Sequence, residues 1–326
     1  MKKQVLEPLP NTNNPLCDVS STGREKPWRE KKQANELLSL AYREIDQKKA
    51  MRLWECGRFL MFRRYGDGSK KLDGMTSCRV RLCPICAWRR SLKVFHSMRR
   101  IVEYCHENHP DYAYLFLTLT VKNCDADSLS QTLTDMLSAW NAFTKITAIK
   151  DVVQGWYRGL EITHNVNPNS ESYDTYHPHF HALIAVKKSY FGLKYLSQEE
   201  WTSFWKQALK CDYTPVVDVR RVKGNDMKAI AECAKYSVKD VDYIIPEDWP
   251  LTVKTVAVLD QALHRRRFVA FGGEFKRVKQ LLKLEDEETG SLIDVGGEDE
   301  SPKDEDYILE TYMWYSGYRQ YFRVDS

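Results

Sequence analysis

Apolar residues recur along this chain with two different periods, and the alternation of those periods outlines the fold. Trp88, Leu92, Phe95, Met98 and Val102 fall on one helical stripe, which predicts a helix from about Pro84 to Glu107. Leu129, Leu133, Met136, Leu137 and Trp140 predict a second over 126–147, and Leu37, Leu38 and Ala41 one from about Arg29 to Gln47. Between them, Tyr112–Val121 (YAYLFLTLTV) is β-branched and aromatic and reads as a strand, as do Gly155–His164, His179–Val186 and Pro215–Val222. Ser197-Gln-Glu-Glu200 is a capping box opening a helix to Leu209, and a further helix covers about Asp226 to Val238. This order predicts an α+β fold, a central antiparallel sheet flanked by helices. Residues 1–26 and 50–86 show no period and read as an extended or disordered arm and an irregular segment, and there is no internal repeat.

Charge changes the picture. The net charge of +4 hides a tail, residues 281–326, with 4 Lys/Arg against 13 Asp/Glu, so the first 280 residues sum to +13. A basic body suits a polyanion partner, although a solvated surface would look the same. Residues 285–306 read as a solvated acidic linker, and the last 20 residues turn aromatic again and either dock back or bind a partner. No apolar run approaches the roughly 20 residues that span a bilayer, and the N-terminus has no signal core. The expectation is a cytoplasmic protein without a membrane partner.

Three of the eight histidines fall in His177-Pro-His-Phe-His181, followed by an apolar strand. Strand side chains alternate, so His179 and His181 share a face while Phe180 anchors the other. Imidazoles at i and i+2 can chelate a divalent cation. Glu161, on the preceding strand, is the expected third ligand if the two strands form a hairpin; His177 competes with it.

In Ala231-Glu-Cys-Ala-Lys-Tyr-Ser-Val-Lys239, Glu232 and Tyr236 are i and i+4 on a helix, with Lys239 a turn further on. A phenol, with a pKa of about 10, is a poor nucleophile at neutral pH. An ammonium from Lys239 or Lys235 and a metal on the electrophile would help it, and Glu232 could accept a proton from the phenol or from water. Spacing alone does not choose this tyrosine among 18.

Cys56, Cys78, Cys83 and Cys86 are spaced C-x21-C-x4-C-x2-C, with the last pair directly preceding a helix. Thiolates so spaced suit tetrahedral zinc. A redox pair would need a thioredoxin-like surround that is absent. The remaining cysteines, 17, 105, 124, 211 and 233, are bystanders. Arg79, Arg81, Arg89, Arg90 and Lys93 beside the knuckle offer a rigid basic surface for DNA, or the knuckle is only a staple.

Taken in order, RVRLCPICAWRRS (79–91), YLFLTLTV (114–121), HPHFHALI (177–184), ECAKYSVK (232–239) and FGGEFK (271–276) resemble the motifs of the rolling-circle replication initiators of small Gram-positive plasmids, in the HUH endonuclease superfamily. The resemblance covers roughly residues 50–280. It implies an HUH, RRM-like palm with the histidine strand at its centre, and a metal-dependent, strand-specific nickase. Tyr236 would form a 5′-phosphotyrosine link, Glu232 would activate water in the terminating cleavage, and His179, His181 and Glu161 would hold Mn²⁺ or Mg²⁺. Its partner would be plasmid origin DNA, double-stranded with an extruded single-stranded nick site, served by a host helicase and polymerase; it leaves room for a homodimer. The domains expected are an arm (1–28), a helical, zinc-binding DNA-binding region (29–108), the endonuclease domain (109–280) and an acidic linker with aromatic tail (281–326). The rival readings are a single-tyrosine HUH transposase or relaxase, a zinc-dependent DNA-binding regulator without catalysis, and a histidine-metal hydrolase of small molecules, which leaves the basic surface and the tyrosine unexplained.

Overall fold

The computed structural model describes residues 13–192, 194–223, 227–234, 238–297 and 306–324. The chain divides into two compact units, one made of the residues up to Arg89 together with those from Ser291 onward, the other of Arg90–Gly290.

In the first unit, helices α1 (Trp28–Arg43) and α2 (Gln47–Glu55) pack together. Buried polar side chains on α1 satisfy carbonyls at the end of α2 and just beyond it: Lys32 Nζ donates to Trp54 O (2.7 Å) and Cys56 O (2.9 Å), and Asn35 Nδ2 to Leu53 O (2.6 Å). The segment expected to be irregular contains α2 and two strands, β1 (Phe59–Tyr65) and β2 (Lys70–Met75). Arg63 and Arg64 interrupt the alternation of β1, and its second partner is remote. The tail strand β8 (Tyr307–Tyr315) pairs with β1, and β9 (Gln320–Val324) completes an antiparallel sheet in the order β2-β1-β8-β9. The aromatic tail thus docks back, burying Tyr312, Trp314, Tyr315, Tyr321 and Phe322. The arm is described from residue 13 and runs along β9, with Leu16 N donating to Tyr321 O at 2.9 Å and Asp18 accepting from Trp28 Nε1 at 2.8 Å.

The chain passes into the second unit inside α3 (Pro84–Asn108). There β3 (Tyr112–Thr120), β4 (Val153–His164), β5 (Tyr176–Lys187), β6 (Val217–Val222) and β7 (Val269–Gly272) form an antiparallel sheet in the order β6-β3-β5-β4-β7. The histidine strand, β5, is at its centre, as expected. One face packs on α4 (Ala126–Phe143) and α6 (Gln198–Leu209): Phe180 meets the rings of Trp140 at 5.8 Å and Trp205 at 6.1 Å. On the other face, Met98, Ile101 and Cys105 of α3 cover Tyr114, Tyr157 and Leu183, with Phe275 and Val278 of α9 (Gly273–Leu281). That cover occupies one end of the face, and the histidines lie toward the other. Two further helices, α5 (Thr147–Lys150) and α8 (Trp249–Ala262), complete the unit with the short α7 (Met227–Cys233). The helix expected through Val238 is thus described only to Cys233.

The acidic stretch is not simply solvated at its start. Glu285 pairs with Lys93, Asp286 with Arg267 and Glu287 with Lys279, all within the second unit. Among the described residues no helix is long and apolar enough to cross a membrane.

Candidate metal centre

Register builds the centre. In the β4–β5 hairpin Glu161 stands opposite His179 and Gly159 opposite His181, so the carboxylate rises between the two imidazoles on one face. Glu161 Oε2 lies 3.3 Å from His179 Nε2 and 3.0 Å from His181 Nε2. All three residues are at least nine-tenths buried, and their ligand atoms lie within 4.8 Å of one another. His177 lies outside this group, its ring 5.4 Å from that of His179.

The outward nitrogens hold the rings in place. His179 Nδ1 is 3.1 Å from His177 O, a pure acceptor, so Nδ1 carries a proton and Nε2 is the nitrogen that could ligate a cation. His181 Nδ1 has Thr118 Oγ1 at 3.3 Å, a hydroxyl able to donate or to accept, which holds the ring in place. Two imidazole Nε2 atoms and a carboxylate pointing at one place are a donor set for a divalent cation. Burial by itself would raise the Glu161 carboxyl; the hydrogen bonds and charges of His179 and His181 outweigh it and hold the group well below the usual carboxylate range. The group could hold a metal.

Lys239 Nζ lies 3.3 Å from Glu161 Oε1. This lysine is not on the helix expected for it: its backbone is extended (φ −77°, ψ 146°) and it precedes a single 3-10 turn, Asp240–Asp242. Buried His164 anchors that turn, with Nδ1 3.1 Å from Asp242 O and Nε2 3.0 Å from Asp174 Oδ1. Glu232 is half-buried on α7, which packs against β5 and β4. Tyr236 lies outside the described residues, as does Lys235.

The four cysteines meet in the first unit. Cys56 Sγ is 3.5 Å from Cys83 Sγ and 3.6 Å from Cys86 Sγ, and Cys78 Sγ is 3.8 Å from Cys86 Sγ. A tetrahedron of sulfurs about 2.3 Å from zinc has edges of about 3.8 Å. Main-chain N–H groups already aim at the sulfurs: Cys78 N at Cys56 Sγ (3.4 Å), Val80 N at Cys78 Sγ (3.4 Å) and Cys86 N at Cys83 Sγ (3.5 Å). Arg79, at φ +55°, makes the tight turn that allows this. Burial pushes the Cys78 and Cys83 thiols well up, so thiolates here require a cation. The cluster could bind zinc.

Two of the five cations assigned to DNA require correction. Arg89 is fully buried and donates to Leu292 O (2.8 Å) and Ile293 O (2.5 Å), so it ties the returning chain to the knuckle helix. Lys93 is buried against Glu285. Arg79 is exposed, and Arg81 and Arg90 are half-buried. Helical spacing separated these residues from the apolar stripe but could not say that chain from residue 285 onward covers two of them. Sequence reasoning also passed over Thr118, although its alternation with leucines in Leu-Thr-Leu-Thr already put it on a polar face. His164 carried no such signal.

A family model described as "Replication protein" matches residues 69–322. A "Protein rep" of Bacillus amyloliquefaciens is 37% identical, covering 94% of this chain and 96% of its own. Another from a Bacillus species is 41% identical over 76% of this chain and 85% of its own, and one from Streptococcus pneumoniae 36% over 88% and 89%. No solved structure matches the chain.

Proposed function

The chain belongs to the family of replication proteins, and from that premise we propose that this plasmid replication initiator starts rolling-circle synthesis as a metal-dependent, strand-specific DNA nickase of the HUH type. The observation that carries the reading is the convergence of Glu161, His179 and His181 on one point, with His179 held by the His177 carbonyl and His181 by the Thr118 hydroxyl so that both Nε2 atoms face it.

In this reading a Mn²⁺ or Mg²⁺ ion supplies Lewis-acid polarisation of the scissile phosphate when bound to these three residues. Tyr236 attacks phosphorus, and the bond to the 3′ oxygen breaks. One strand is left with a free 3′-OH for a polymerase and a 5′-phosphate esterified to Tyr236. Lys239 stabilises the phenolate, and Glu232 takes a proton from the water that ends the cycle. Zinc on Cys56, Cys78, Cys83 and Cys86 is structural. Arg79, Arg81 and Arg90 face origin DNA in the cytoplasm, where a host helicase opens the duplex.

The test is a labelled single-stranded origin oligonucleotide incubated with Mn²⁺ and resolved on a denaturing protein gel. Label should co-migrate with the protein and disappear in Tyr236→Phe. No adduct with the unmodified chain, or an adduct that persists in Tyr236→Phe, overturns the reading. Glu232→Ala should still make the first nick and fail to terminate.

A further inference from the structure

The polar row around the metal group continues across the sheet. Thr118 of β3 stands opposite His181 on one side and opposite Asp218 of β6 on the other. Directly opposed residues share a face, so Asp218, and with it Arg220, lies on the face of Glu161, His179 and His181. β6 is an edge strand, so this end of the row is open.

Arg220 is built to receive an anion there. Its side chain is 73% exposed, and Nε is 2.6 Å from Asp218 Oδ2, which draws the guanidinium back to the level of Thr118. The terminal nitrogens have no hydrogen-bond partner among the described residues. A guanidinium carries five donors in a rigid fork; the contact with Asp218 is an ion pair and not an aligned hydrogen bond, so it holds the group by charge and leaves the fork's donors for a phosphate. Two strand spacings of about 4.8 Å separate β6 from β5, which puts the fork on the order of 10 Å from the histidine strand. Arg221 points to the opposite face, where it lies 4.2 Å from the centre of the Phe191 ring.

We propose that Arg220, held by Asp218, holds a phosphate of the cleaved single strand about two nucleotides from the scissile one, and so sets which phosphate meets the metal group. This positioning role rests on the nickase reading, but its first test needs no cutting. Binding of labelled oligothymidylate is measured by fluorescence anisotropy, in chelator, across a salt series. Arg220→Ala should weaken binding about tenfold and lower the slope of log K against log salt by about 0.7, one phosphate contact on a single strand. Arg220→Lys should keep the slope with part of the affinity, and Arg221→Ala should keep both. Wild-type slope and affinity in Arg220→Ala overturn the proposal. A chain that binds in this way but never forms the covalent adduct sinks the nickase reading instead.

A second test fixes the position. Neutral methylphosphonates are placed one at a time along the cut oligonucleotide. Arg220→Ala should lose sensitivity at a single position near the cut and keep it elsewhere. A uniform change at every position overturns the positioning role.

Discussion

Lys239 Nζ lies 3.3 Å from Glu161 Oε1, the carboxylate oxygen that neither imidazole touches. A cation so close to a divalent metal repels it, so its presence does not serve metal affinity. Lys239→Ala should therefore bind Mn²⁺ at least as tightly as the unmodified chain while nicking on the order of 100-fold more slowly. Calorimetric titration and single-turnover cleavage separate the two effects. Unchanged cleavage would remove Lys239 from the chemistry.

Glu161→Gln keeps the shape of the ligand and removes its charge. At a Mn²⁺ concentration about a hundredfold above Kd, binding should stabilise the unmodified chain by about 2.7 kcal/mol. The variant should show almost no metal-dependent rise in melting temperature. A full rise in Glu161→Gln would leave the two histidines as the whole site.

The sulfur cluster predicts about one zinc per chain by mass spectrometry after gel filtration. Cys83→Ser should lose that zinc and the cooperative unfolding of the unit containing α1 and α2, because metal binding there is also folding free energy. A zinc-free preparation with an unaltered melting curve would leave the cluster as four buried thiols.

Arg89 should behave as a structural residue. Removing it orphans Leu292 O and Ile293 O, so Arg89→Ala should cost about 2–3 kcal/mol by denaturant unfolding. The salt slope of DNA binding should not move. A slope lower by one phosphate contact with unchanged stability would restore Arg89 to the DNA surface.

Glu310 predicts a pH dependence. Burial would raise its carboxyl, but hydrogen bonds from Tyr312 (2.8 Å) and Arg64 (2.7 Å), with Lys70 at 3.2 Å and Arg323 at 3.1 Å, hold it below 4.5. A depressed carboxylate stabilises the fold above its unfolded value, and the gain is lost as pH falls through the folded value. Glu310→Gln should cost about 2 kcal/mol at neutral pH and flatten the loss of stability below about pH 4.5. Equal acid slopes in both proteins would mean that the cluster contributes nothing.

What the sequence determined by itself was local or periodic. The alternation in β5 put His179 and His181 on one face, and Phe180 on the other against Trp140 and Trp205, whatever the neighbours did. The apolar repeats of α3 and α4 and the Ser197–Glu200 capping box formed where expected for the same reason, since side-chain direction along one element follows from its period. The tertiary structure decided whatever depends on pairs remote in sequence. Glu161 reaches the histidines only because the β4–β5 register sets it opposite His179, and a slip of one residue would turn it to the other face. The strands of the cysteine unit stayed illegible because β1 takes its second partner from the tail, with Arg64 and Glu310 246 positions apart. Arg89 and Lys93 looked like surface cations for the same reason: burial belongs to the chain that returns to cover a residue, and neighbouring letters carry no record of it.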